Sequence, residues 1–153
     1  GFVGVLNYYK GRNEVADLDF EHALCSHTNW NPLWAKPYVV NADEELVDRI
    51  AGDDMVRGNT ISAVGFYGPQ GRQVRLELAN PDLNRLIEQF EYRGRRITNY
   101  EMESAPLAGM GRLMGHRCMT VCSIIANRFN TEANPNYKSG IKDLIATVLE
   151  RIC

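Results

Sequence analysis

Two glutamates stand on either side of Met102 in the stretch "NYEMES", at Glu101 and Glu103. Solvated acids usually sit among lysines and polar residues, but these have Tyr100, Met102, Ala105 and Leu107 as neighbours. A carboxylate at the point where a β-like run gives way to small residues has two uses. It can favour the positive end of a helix that starts there. It can also hold a diol, because an ionised carboxylate is acceptor-only and its two oxygens suit two adjacent hydroxyls of a ribose. The local sequence does not rank the two.

Two further segments carry chemistry of the same kind. In "FYGPQGR", Gly68, Pro69 and Gly71 make a tight loop that displays Phe66, Gln70 and Arg72. Gln70 offers an acceptor and a donor side by side, which matches an imide edge such as that of uracil. Arg72 can donate to a carbonyl oxygen that gains negative charge, and Phe66 can stack on a base. A solvated surface turn would explain the same residues. In "IIANR", Ile124 and Ile125 are candidates for an apolar wall. Arg128 leaves an apolar run and needs an acceptor, either a ligand or a structural ion pair.

Other groupings are weaker. His22, Cys25 and His27 lack a fourth ligand at zinc-site spacing, so no metal site is expected. No Ser–His–Asp arrangement can be assembled from motifs. Met102, Met110, Met114 and Met119 read as core filler. Cys25, Cys118, Cys122 and Cys153 form no CxxC pair and are expected to be buried, reduced thiols.

The elements that must position these residues follow from periodicity. "NADEELVDRIAG" predicts a helix capped by Asn41, with Gly52 just past its end. "NTISAVGFY" reads as a strand closed by "YGPQG". "NPDLNRLIEQFEYRG" predicts a helix capped by Asn80, with Pro81 in its first turn and Gly94 as its stop. "RRITNYEM" is the next strand. "ESAPLAGMGRLMG" is a helix that tolerates Pro106 only near its start. "HRCMTVCSIIAN" reads as a buried strand. "YKSGIKDLIATVLERI" is a final helix with Ile141, Leu144, Ile145, Val148 and Leu149 as its core face. Before these, "GRNEVADLDFEHAL" suggests a short helix and "SHTNWNPLWAKPY" a loop long enough to serve function or a partner. Alternating β and α segments predict an α/β sheet with helices packed on it, where ligands bind beyond the carboxyl ends of the strands.

The 153 residues suit a single domain. A net charge of −2 argues against a nucleic-acid surface, and the one dense basic run, "RGRR" from Arg93 to Arg96, reads as cations past a helix end. No apolar run approaches the ~20 residues of a membrane span. Phe2 to Leu6 is too short for a signal peptide, so a cytoplasmic location without membrane partners is expected. The opening "GFVGVLNYY" reads as the interior of something longer.

Taken together, "FYGPQGR", "NYEMES" and "TVCSIIANR" resemble the nucleoside phosphorylase family, and within it the bacterial uridine phosphorylase branch. The order and spacing of the three agree from about Gly1 to the C-terminus. The resemblance implies a three-layer mixed α/β sheet with helices on both faces. It also implies that Glu103 and Met102 hold the ribose, with Glu101 in the same cluster. Gln70 and Arg72 would bind the uracil edge, Phe66 and Ile125 would line the base pocket, and Arg128 would support it. Purine-cleaving relatives carry an Asp after a Ser near the end of the later strand, where Cys122 to Asn130 has none. The implied reaction is phosphorolysis of uridine to uracil and ribose 1-phosphate, with phosphate as co-substrate and no cofactor or metal.

The chain also departs from the family's pattern. The family binds phosphate through a "GDP-x-R" loop, an arginine before a "GT-x-G" loop, and an arginine of a neighbouring subunit. None of these motifs is present, so the chain is expected to be the C-terminal, nucleoside-binding half. Its expected partners are the N-terminal half of the same protein and further copies in a homo-oligomer, a dimer or a hexamer. A non-catalytic nucleoside-binding fragment, or a phosphorylase of 2′-deoxyuridine, thymidine or purine nucleosides, is the alternative.

Overall fold

The computed structural model describes residues 4–127 and 132–153. The chain divides into two compact units, Gly1–Asn41 with Arg57–Cys118, and Ala42–Val56 with Met119–Cys153.

The first unit opens with helices α1 (Arg12–Val15) and α2 (Leu18–Thr28). Asp17 starts α2 by accepting the Phe20 N–H at 3.0 Å, and Asn29, at φ 48°, ends it. The apolar stripe of α2 puts Phe20 and Leu24 into the core with Phe90. Phe20 meets Phe90 edge to face at 5.2 Å and Tyr92 at 5.6 Å. Arg95 lies over the Phe20 ring and pairs with Asp17 at 2.8 Å. The fully buried Glu21 is held by Arg12 at 2.8 Å and by the Val39 N–H at 3.1 Å, as a buried charge requires.

The sheet has the order β1–β3–β2, from β1 (Asn59–Ser62), β2 (Glu91–Tyr92) and β3 (Arg95–Glu101). β1 runs parallel to β3 and β2 antiparallel, so the sheet is mixed and the class is α/β. Helix α4 (Leu83–Gln89) packs on β3, and α5 (Ser104–Leu113) on β1.

Three expectations change here. The predicted strand "NTISAVGFY" stops at Ser62, because its partner β3 ends at Glu101 and the last ladder bond is Ala63 N–H to Glu101 O. The "RGRR" run does not cap a helix. α4 ends at Gln89, and Arg93 (φ 53°) with Gly94 (φ 74°) forms the two-residue turn of the β2–β3 hairpin. Left-handed residues at both positions match the twist of the flanking strands. Asn80 lies ahead of α4 and accepts the Asp82 N–H at 3.1 Å, a local turn rather than the cap itself.

In the second unit, α3 (Glu44–Ile50) is capped by Asp43, which accepts the Leu46 N–H at 3.0 Å. Asn41 is not the cap, because its side chain is held by Arg95 at 2.8 Å and Asp17 at 3.2 Å. α6 (Tyr137–Ile152) packs along α3, and Arg151 donates to the Ile50 carbonyl at 2.7 Å and to Asp54 at 3.0 Å. The predicted helix is there, but its apolar stripe is not a buried face: Ile145 is 54% exposed and Leu149 57%. The predicted strand from His116 to Asn127 is reduced to β4 (Ala126–Asn127), paired with β5 (Glu132–Ala133). A strand exists through its partner's N–H and C=O groups, and no ladder joins residues 116–125 among the described residues. No helix among the described residues is long and apolar enough to cross a membrane.

Candidate functional site

Because β1 and β3 are parallel, their carboxyl ends share one edge, with Ser62 opposite Glu101. Helix α5 starts at that edge and brings unsatisfied N–H groups with it. Glu101 meets them from inside the strand. Its Oε2 accepts the N–H of Glu103 and of Ser104, both at 2.6 Å. Its Oε1 accepts the hydroxyls of Ser104, at 2.7 Å, and of Ser62. Ser62 in turn accepts the Ala105 N–H at 2.7 Å, and Pro106 has no N–H to satisfy. Burial alone would raise the Glu101 pKa. The donated bonds from Ser62, Glu103 and Ser104 outweigh it, and the carboxyl titrates below its ordinary value. The nearby Tyr38 is pushed up, first by burial and then by the Glu101 charge.

Glu103 is different. It is exposed, and its carboxylate has no hydrogen bond or ion pair among the described residues. Met102 beside it is 39% exposed, and Met114 is 64% exposed, so these two methionines are not core filler.

The loop after β1 gathers Phe66, Gln70 and Arg72. A 3-10 turn over Gly68–Gln70 carries Pro69 at its start and ends on Gly71 at φ 74°. Arg72 lies over the Phe66 ring with its guanidinium carbon 3.6 Å from the centroid. Its Nη1 donates to the Phe66 carbonyl and, at 2.9 Å, to Gln70 Oε1. Its Nε and Nη2 make no bond among the described residues. Gln70 is 3% exposed, whereas Phe66 is 52% exposed. The loop is moored by Asn84 of α4, which donates to the Gln70 carbonyl at 3.2 Å and accepts the Tyr100 hydroxyl at 2.8 Å.

Glu101, Met102 and Glu103 thus follow one another at the end of β3, and Phe66, Gln70 and Arg72 form one cluster. Ile125, 45% exposed, belongs to the second unit, and Arg128 lies outside the described residues. His27 Nε2 sits 2.9 Å from the Leu86 carbonyl. No group of three or more His, Cys, Asp or Glu suited to a metal occurs among the described residues. Sequence reasoning missed Ser62, Ser104, Asn84 and Tyr100. Only Ser104 carried a local signal, a hydroxyl at the first residue of a helix.

Over 101 residues the chain is 33% identical to the uridine phosphorylase of Thermococcus kodakarensis. The match covers 62% of this chain and 32% of that protein, so the chain spans about a third of the length of this relative. No solved structure matches it. The family model of the phosphorylase superfamily matches residues 6–152, and the chain belongs to that superfamily.

Proposed function

We propose that the complete protein carrying this chain cleaves uridine by phosphorolysis, and that this chain supplies its nucleoside-binding part. The observation that carries the reading is the contrast between the two glutamates. Glu101 is spent on the start of α5, whereas Glu103, two residues on, is exposed beyond the same strand with no partner for its carboxylate among the described residues. The likeness to a uridine phosphorylase supports it.

In this reading Glu103 accepts hydrogen bonds from the two ribose hydroxyls, with Met102 against the sugar. Gln70 and Arg72 face the uracil edge, with Phe66 beside the ring. A phosphate oxygen attacks the anomeric carbon as the bond to the uracil nitrogen breaks. The electron pair of that bond goes to the base, and Arg72 donates to the carbonyl oxygen where negative charge grows. No metal or organic cofactor takes part.

Phosphate needs its own donors. The start of α5 does not provide them, because Glu101 and Ser62 already accept the N–H groups of Glu103, Ser104 and Ala105. In this reading the phosphate site belongs, as the family resemblance implies, to an N-terminal half and a neighbouring subunit.

The test is release of uracil from uridine, with and without phosphate, by the complete protein and by residues 1–153 alone. The complete protein should cleave only when phosphate is present, and residues 1–153 alone should not cleave. Nucleoside binding without cleavage by the complete protein would favour a binding module. Preferential cleavage of inosine or thymidine would reassign the base.

A further inference from the structure

We infer that Asn84 is a positioning residue that couples the base-reading loop to the strand carrying the ribose-binding glutamate; the functional part of this rests on the nucleoside reading above. Asn84 belongs to neither motif, yet it touches the elements of both. Its Nδ2 donates to the Gln70 carbonyl at 3.2 Å, and its Oδ1 accepts the Tyr100 hydroxyl at 2.8 Å. The two partners set the amide's orientation, since a backbone carbonyl can only accept. Aspartate keeps the acceptor but loses the donor, and leucine loses both.

The fit around this amide is close. A Cβ on Gly71 would collide with Asn84 Nδ2, and Gly71 has φ +74°. The loop therefore needs glycine there for its backbone and for the approach of Asn84. Tyr100 lies in β3 next to Glu101 and three residues before Glu103. The path runs Gln70–Asn84–Tyr100, then along β3 to its end at Glu101 and two residues on to Glu103. A nucleoside has its base and sugar at a set separation, so its two sets of contacts must be held in register. Besides the β1–β3 ladder, which ends with Ala63 N–H on the Glu101 carbonyl, Asn84 ties the far side of the loop to that strand.

The experiment uses Asn84→Asp and Tyr100→Phe in the complete protein, with two readouts. The first is amide hydrogen exchange at Gly71 and Arg72. Asn84→Asp should speed it about tenfold, as expected for loss of a local restraint, with the core amides unchanged. The second is kinetics. KM for uridine should rise about tenfold while KM for phosphate stays within about twofold. In a Gln70→Ala background Asn84→Asp should add less than about twofold, because both act through one loop. Tyr100→Phe, which leaves the Gln70 bond intact, should give a smaller rise of the same kind.

Unchanged exchange in Asn84→Asp would overturn the inference. So would an equal rise in both KM values, or effects that simply multiply with Gln70→Ala, since either marks a general structural role. If the unmutated protein cleaves no nucleoside, the functional proposal fails, and the exchange readout still decides whether Asn84 holds the loop.

Discussion

The start of α5 and the loop from Phe66 to Arg72 both place polar side chains just beyond a strand, and they use them in opposite ways. At the helix start the bonding capacity is consumed internally. Glu101 accepts from two backbone N–H groups and two hydroxyls, and Ser62 takes a third N–H. In the loop the backbone is fixed just as firmly, by Gly71, Asn84 and the 3-10 turn, yet among the described residues Arg72 commits only Nη1. The same split recurs within "EMES": Glu101 builds, and Glu103 has no side-chain partner among the described residues. Residue type alone therefore does not mark a binding group. What marks it is capacity left over after the fold has taken its share.

The largest effect that could break this comparison is on Glu103. Glu103→Ala in the complete protein should lower kcat/KM for uridine by about 100- to 1,000-fold, the scale of two hydrogen bonds to a charged acceptor. Its thermal stability should hardly move, since an exposed, unpartnered side chain contributes little to folding. A large drop in melting temperature with kcat/KM preserved would reverse the roles assigned to the two glutamates.

Glu101→Gln should show the complementary pattern. An amide turns N–H groups toward donors that now meet a carboxylate, so stability should fall by about 1.5–3 kcal/mol. The pH dependence carries a sign. The folded pKa of Glu101 is depressed, so its stabilisation is fully present above the unfolded value of about 4.3 and is lost as pH falls through the folded value. Asp17 behaves alike. Burial would raise its pKa, but bonds from Arg95, Phe20 and Asn41 lower it. Denaturant titrations between pH 7 and pH 2 should therefore give a shallower acid loss for Glu101→Gln than for the unmutated protein. Superimposable acid limbs would rule out the role given to Glu101.

The smallest effect sharpens the loop side. Arg72→Lys keeps the charge but loses the planar group that lies over Phe66 and still has N–H groups to offer on Nε and Nη2. Turnover of uridine should fall about tenfold, with KM changed less, because charge on the base grows toward the transition state. A change confined to KM would make Arg72 a ground-state contact only.

Local pattern was enough for several elements. The helix α6 from Tyr137 to Ile152, the strand β3 and the helix after "EMES" follow from apolar spacing, caps and small residues, all of which act within a few positions. The tight turn of "GPQG" was legible for the same reason. Other features depended on partners that spacing cannot supply. The run from His116 to Ile125 is apolar enough for a strand, but a strand requires a neighbour's backbone, and the described ladder reaches only Ala126 and Asn127. The stripe of α6 has core spacing, yet Ile145 and Leu149 remain exposed, because burial needs a facing surface. The division of labour between Glu101 and Glu103 turned on Ser62, 39 residues before Glu101, and the mooring of Gln70 turned on Asn84, 14 residues after it. The sequence alone determined which residues carry the polar and aromatic groups that the nucleoside reading calls on. Tertiary structure decided which of them were already occupied, because hydrogen-bonding capacity is spent on whatever the fold brings within reach.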